Sequence, residues 1–175
     1  MAIKPFTKNN FMKQTTSTEI NNTIKELISL LKKGNAHVSF NDAIKDIPFE
    51  DLSKKPDNLP YSIWQLIEHI RITQKDILDF SCSNNYKALN WPDDYWPKEI
   101  APKNEAAWKK SVTEIKDDLK QFIELLKDEN VDLLKPFEHG DGQNLLREAL
   151  LIADHTSYHT GEIIVLRRLL GNWRN

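Results

Sequence analysis

The sequence predicts an all-α fold, a four-helix bundle with long connections, in one domain spanning residues 1–175. Three observations carry this. Four long segments repeat apolar residues at intervals of three and four, the spacing of one buried helix face. No segment alternates apolar and polar residues as a half-buried strand does, and no glycine-rich loop follows a strand-like run. The breaks between segments carry Gly, Pro and Asn, which stop helices.

Residues 1–16 are polar and mixed, and read as a loose arm or as a segment that packs Phe6 and Phe11 on the bundle. The first helix is expected from Thr18, a plausible cap, through Ile20, Ile24, Leu27, Ile28 and Leu31 to the stop at Gly34-Asn35. Between residues 35 and 60 a short helical piece starts at Ser39, with Asp42 three residues on as in a capping box. Ala43, Ile44 and Ile47 give it a small apolar face, Pro48 ends it, and Pro56 and Pro60 mark a loop. The second long helix opens on the capping box Ser62–Gln65, and Ile63, Leu66, Ile67, Ile70 and Ile77 form its stripe up to Phe80.

The connection 81–102 holds Trp91, Pro92, Tyr95, Trp96, Pro97 and Pro102. It reads as a lid over one end of the bundle or as an aromatic wall of a substrate pocket. The third long helix, from about Lys103 to Lys127, buries Ala107, Val112, Ile115, Leu119, Phe122 and Leu126. The fourth, from about Gln143 to Leu170, carries Leu145, Ala149, Ile152, Thr156, Ile163 and Leu166, with Gly171 as its stop. Gly161 lies inside it, where glycine costs about 1 kcal/mol against alanine. Close helix packing offsets that cost, or a kink uses it.

Several function classes recede. The formal net charge is -2, which gives no general pull towards nucleic acid, and the aromatic link is flanked by Asp93, Asp94 and Glu99. No nucleic-acid partner is expected. No run of 18 apolar residues points to a membrane, and residues 1–10 do not read as a signal peptide. The single cysteine, Cys82, forms no intrachain disulfide, so a cytoplasmic setting is expected. Gly-Lys-Ser loops, nucleophile elbows and paired cysteines are absent.

The histidines carry the chemistry. His155 and His159 are four residues apart, which stacks two imidazoles on one helical face. His69 lies beside the apolar stripe of another helix. Neutral imidazole ligates zinc, nickel or iron(II), and three protein ligands leave a position for water or substrate. On spacing alone, ordinary core or surface histidines remain the alternative. The pair is not the His-Glu-x-x-His of metalloproteases, since Thr156 follows His155. His37 and His139 fall in or near loops and read as local hydrogen-bonding residues. Glu162, three residues after His159, is the candidate catalytic residue, orienting an imidazole or accepting a proton. A salt bridge with a residue such as Arg147 or Arg167, or with a partner helix, is its structural alternative. Asp154 is expected to face another helix or solvent, and Asp76, two turns after His69, is a weaker candidate for supporting the site.

Three stretches carry a family resemblance: Leu59-Pro60-Tyr61-Ser62-Ile63-Trp64-Gln65-Leu66-Ile67-Glu68-His69, then Trp91-Pro92-Asp93-Asp94-Tyr95-Trp96-Pro97, then Ala153-Asp154-His155-Thr156-Ser157-Tyr158-His159-Thr160-Gly161-Glu162. The closing Leu166-Arg167-Arg168-Leu169-Leu170-Gly171 fits as well. The chain resembles the DinB-like (DinB/YfiT-like) superfamily of metal-dependent enzymes from about residue 20 to Trp173. The resemblance implies an up-down-down-up bundle with one divalent transition metal, zinc or nickel, at His69, His155 and His159. Glu162 stands where the family often has Gln, which adds a charge near the site. The implied function is activation of a thiol or of water, as in thiol transferases or hydrolases. The implied partner is a small-molecule substrate such as a low-molecular-weight thiol. A non-catalytic metal-binding or small-molecule-binding protein is the alternative. A homodimer is expected, because bundles of this type often pair and twofold pairing is the commonest oligomer.

Overall fold

The computed structural model describes residues 8–173, with side chains from residue 18. It is built from α1 (Lys8–Lys33), α2 (Phe40–Ile44), α3 (Ile63–Cys82), α4 (Glu105–Lys127) and α5 (Leu145–Leu169), with a 3-10 turn at Phe49–Asp51. No strand occurs among the described residues; one isolated bridge pairs Pro136 with Asn144. None of the described helices is long and apolar enough to cross a membrane.

Four side chains set the helix starts. Ser39, Ser62, Asn104 and Asn144 each accept a hydrogen bond from the backbone N–H three residues on, satisfying a donor that a helix start leaves unpaired. At Ser62 the capping box is complete, because Gln65 Oε1 accepts from the Ser62 N–H. The first helix differs from expectation. It begins at Lys8, so residues 8–16 are helical and Thr18 is interior. Apolar periodicity reports only a helix that buries a face, and residues 18–23 are all exposed. Threonine is tolerated inside this helix, where the Thr23 hydroxyl donates back to the Glu19 carbonyl at 3.0 Å. Phe6 and the side chain of Phe11 lie outside the described residues.

Two apolar clusters show how the helices run. One joins Ile63, Leu66, Ile67 and Ile70 of α3 to Ile115 of α4 and to Ile163 and Leu166 of α5. The other joins Leu27 of α1, Ile77 and Leu78 of α3, Phe122 and Leu126 of α4, and Leu145, Ala149 and Ile152 of α5. Early α3 therefore meets early α4 and late α5, so α3 and α4 run together and α5 runs against both. From Leu27 beside early α5, the chain advances to His37, whose ring meets Ser157 further along that helix. α1 thus runs with α5, completing the up-down-down-up order.

α1 covers only the first half of α5. The second half is covered by α2, whose Ala43 and Ile44 enter the cluster with Ile163 and Leu166. Arg167 locks this cover in place. Its Nη1 donates to the Ala43 carbonyl at 2.7 Å and the Lys45 carbonyl at 2.9 Å, while Nε and Nη2 hold Asn172. The guanidinium fork suits several acceptors at once, and Arg167 is therefore not the partner of Glu162. Replacing Arg167 with Met should strand these carbonyls and lower stability by about 1–3 kcal/mol, read as a shifted urea midpoint. A midpoint equal to the parent's would show that α2 docks without it.

Candidate metal centre

The Ser62 capping box fixes where α3 begins, and this puts His69 on the inward face at the end of its second turn. From α5, His155 and His159 project towards it one turn apart. One ring nitrogen from each of the three lies within 4.8 Å of the others, and His69 Nε2 sits 3.0 Å from His155 Nε2. His69 and His159 are buried and His155 is half-buried.

The other nitrogens decide which lone pairs face inward. His69 Nδ1 donates to the Tyr95 carbonyl at 2.8 Å, so its Nε2 is left as the acceptor of a neutral ring. His159 Nδ1 lies 2.6 Å from Glu162 Oε2, to which it donates, and the other Glu162 oxygen accepts from the Tyr61 hydroxyl. Burial holds His69 below the usual imidazole range, partly offset by the Tyr95 carbonyl. Burial, with the neighbouring His159 and His69, pushes His155 down to about 3. These two rings are therefore neutral near pH 7. The set fits a divalent transition metal: with Zn–N near 2.0–2.1 Å, tetrahedral ligand nitrogens stand roughly 3.3 Å apart, close to the spacing at His69 and His155.

The link 83–104 runs back along α3 and supports the site at each level. Tyr86 and Tyr95 donate their hydroxyls to the two oxygens of Asp76, at 2.8 and 2.7 Å. Burial and the Asp76 carboxylate push Tyr86 up to about 12 and also raise Tyr95, so both remain donors. Further along, Gln65 Nε2 donates to the Pro97 carbonyl and Ser62 Oγ to the Ile100 carbonyl. Between these ties, Trp96 stacks on His69 with centroids 4.0 Å apart and planes 5° from parallel, and stacks on Tyr61 at 5.6 Å. Trp96 is thus a wall of the histidine cluster, whereas Trp91 is 71% exposed.

The family model of the DinB family matches residues 13–174. The chain belongs to the DinB family. No curated protein and no solved structure matches it significantly.

In this DinB-family chain the expected residues divide clearly. His69, His155 and His159 converge, and Glu162 touches His159. Arg147 pairs with Glu148 instead of Glu162. Asp154 is exposed. His37 and His139 stay outside the cluster: His37 bonds Val38 and Ser157, and His139 donates to the Phe80 carbonyl. Asp76 reaches the site indirectly, through Tyr95. Two participants carried no spacing signal. Tyr61 lies 101 residues from Glu162 in sequence, and Tyr95 acts through its backbone carbonyl.

Replacing Asp76 with Ala should free Tyr86 and Tyr95 and loosen the carbonyl that fixes His69. By analogy with other groups that orient metal-binding histidines, affinity for zinc should fall about 10- to 100-fold. Unchanged affinity in a folded variant would mean that the link holds His69 without Asp76.

Proposed function

We propose that the protein is a metal-dependent enzyme whose His69, His155 and His159 hold one divalent transition metal, zinc or nickel, and activate a small-molecule thiol or water. The observation that carries this reading is the commitment of Nδ1 in two rings. His69 donates its Nδ1–H to the Tyr95 carbonyl and His159 its Nδ1–H to Glu162, so acceptor nitrogens face one point. A bound metal would lower the pKa of a thiol or water placed at an open coordination position.

The protein's own groups have separable tasks. Glu162 orients His159, and both of its oxygens are engaged, one by Tyr61. Burial and Glu162 raise the Tyr61 pKa, so its hydroxyl stays protonated and can donate beside the site. Trp96 shields one face of His69 from water. The family resemblance covers both thiol transfer and hydrolysis, and the two use the same residues with a thiol or water at the open position. A non-catalytic metal protein would share the ion without turnover.

Elemental analysis after dialysis against a weak chelator, followed by zinc or nickel titration, tests the reading. The parent should bind about one ion per chain, as a single three-histidine site allows. H69A, H155A and H159A should each lose it, and H37A and H139A should retain it. A parent that takes up neither ion in excess, or H155A and H159A variants that bind like the parent, would falsify the metal reading. A panel of thiols with electrophiles, run with and without metal, then separates enzyme from metal-binding protein.

We propose further that two copies pair through α5. Leu150, Tyr158, Val165 and Leu169 are exposed on one side of this helix, together with Gly161. α5 runs unbroken through Gly161, and a Cβ there would meet nothing within 4 Å, so no packing inside the chain explains the glycine. An antiparallel twofold pairing sets Tyr158 over the partner copy's glycine and Leu150 against its leucine in a single register. Light scattering should give about twice the 20.4 kDa chain mass, as twofold pairing requires, and Val165→Asp should return it to one. A single-chain mass for the parent at high micromolar concentration would rule out the pairing.

A further inference from the structure

On the side of α5 turned away from the histidines, the structure holds a recess of about 430 Å³ between α1, α2, α4 and α5. None of the three histidines lines it. Its origin is the handover described above. α1 stops at Lys33 and α2 begins at Phe40, and the space between their ends is left unfilled. The crossing is shaped with care. Gly34 has φ +67, and a Cβ there would lie 2.8 Å from His37 Cε1. The His37 ring lies over this glycine, donates from Nδ1 to the Val38 carbonyl, and accepts at Nε2 from the Ser157 hydroxyl at 2.9 Å. One wall is therefore formed before any ligand arrives.

The lining has three chemical zones. Its walls are apolar, with Leu31, Phe40, Leu119 and Ala153. At depth lies Thr160, 2% exposed, whose Oγ1 is itself covered and makes no hydrogen bond. Beside it Gln74, also buried, donates to the Ile115 carbonyl at 2.6 Å and ties α3 to α4. At the mouth stand Lys32 and Lys116, both exposed and in no ion pair among the described residues, with Asp154 as the one acidic lining residue. A buried hydroxyl without a partner is costly and needs an explanation. A recess of this volume falls in the range that takes small organic ligands.

We propose that this recess binds an amphipathic carboxylate. The carboxylate lies at Lys32 and Lys116, the apolar body lies against Leu31, Phe40 and Leu119, and a polar atom at the far end bonds the Thr160 hydroxyl, which a turn about χ1 brings from its covered position to the recess. The site is separate from the histidine cluster and does not depend on a metal there. Its ligand is an aliphatic acid of medium length with a distal hydroxyl or carbonyl.

Calorimetric titration of the full chain with decanoate and with omega-hydroxydecanoate tests this. Both acids should bind, the hydroxylated one about three- to tenfold more tightly, as one hydrogen bond would give. Thr160→Val removes a hydroxyl that has no partner, so it should preserve decanoate binding and erase the preference. The paired change Lys32→Gln and Lys116→Gln should weaken both acids. Leu119→Trp should fill the recess and abolish both, with zinc uptake at the histidines unchanged in every variant. Absence of saturable binding by either acid overturns the proposal. So does parent-like binding in Leu119→Trp, which would locate the ligand elsewhere, and so does a preference that survives Thr160→Val.

Discussion

Three imidazole nitrogens converge in a largely buried region of the bundle, and much of the surrounding structure follows from aiming their rings at one point. Burial alone disfavours the protonated ring, as at His155 and His69. Neutrality leaves a second requirement, since each ring has two nitrogens and only one can face inward as an acceptor. The Tyr95 carbonyl meets this for His69 and Glu162 meets it for His159. A carbonyl can only accept, so it selects the tautomer without adding charge. The carboxylate adds charge, and the Tyr61 hydroxyl answers its other oxygen. Glutamate at position 162 is thus embedded in a chain of donors and suits a role that a neutral amide would fill less strongly.

The topology explains why the link between α3 and α4 belongs to the site. Those helices run in the same direction, so the chain must return along the whole length of α3 before α4 can start. A returning segment necessarily passes the level of His69. The sequence uses that passage: two tyrosines clasp Asp76, the backbone of Tyr95 meets His69, and Trp96 lies flat on its ring. The link thus forms a wall of the histidine cluster, through Trp96. Its outer part carries the exposed Trp91, while its inner part is bound to α3 at several levels.

What the sequence made legible follows the physics of each signal. Caps are local, so Ser39, Ser62 and the helices behind them could be read from a few adjacent residues. The histidine pair on α5 is local too, and His69 was placed by the apolar stripe beside it. Apolar periodicity failed where burial is polar. Glu148, Thr160 and Arg167 are buried on α5, whereas Thr156, placed on the stripe by periodicity, is only half-buried. It failed again at the start of α1, whose helical backbone begins at Lys8, ten residues before the expected cap Thr18. Contacts between Tyr61 and Glu162, or from Asp76 through Tyr95 to His69, join segments far apart in the chain and use a backbone atom in one case. No spacing rule reaches such pairs.

The weak apolar pattern of α5 has the same cause. A helix that packs one side on a core shows a single stripe, with a polar remainder. α5 has its apolar stripe interrupted by His159 and flanked by His155, since these must meet His69. A second side, with Thr160, Ala153 and Ser157, borders the recess left where α1 gives way to α2. A third, with Leu150, Tyr158, Val165 and Leu169, is largely apolar yet exposed, and Asp154 and Gly161 lie among them, the glycine with open space above it. The first of these sides is satisfied by packing within the chain, and the second only in part, through the bond of Ser157 to His37. The residues that blur the pattern are therefore the ones that face something other than the core. On this helix, departure from simple amphipathicity marks the sides that packing on the core does not account for.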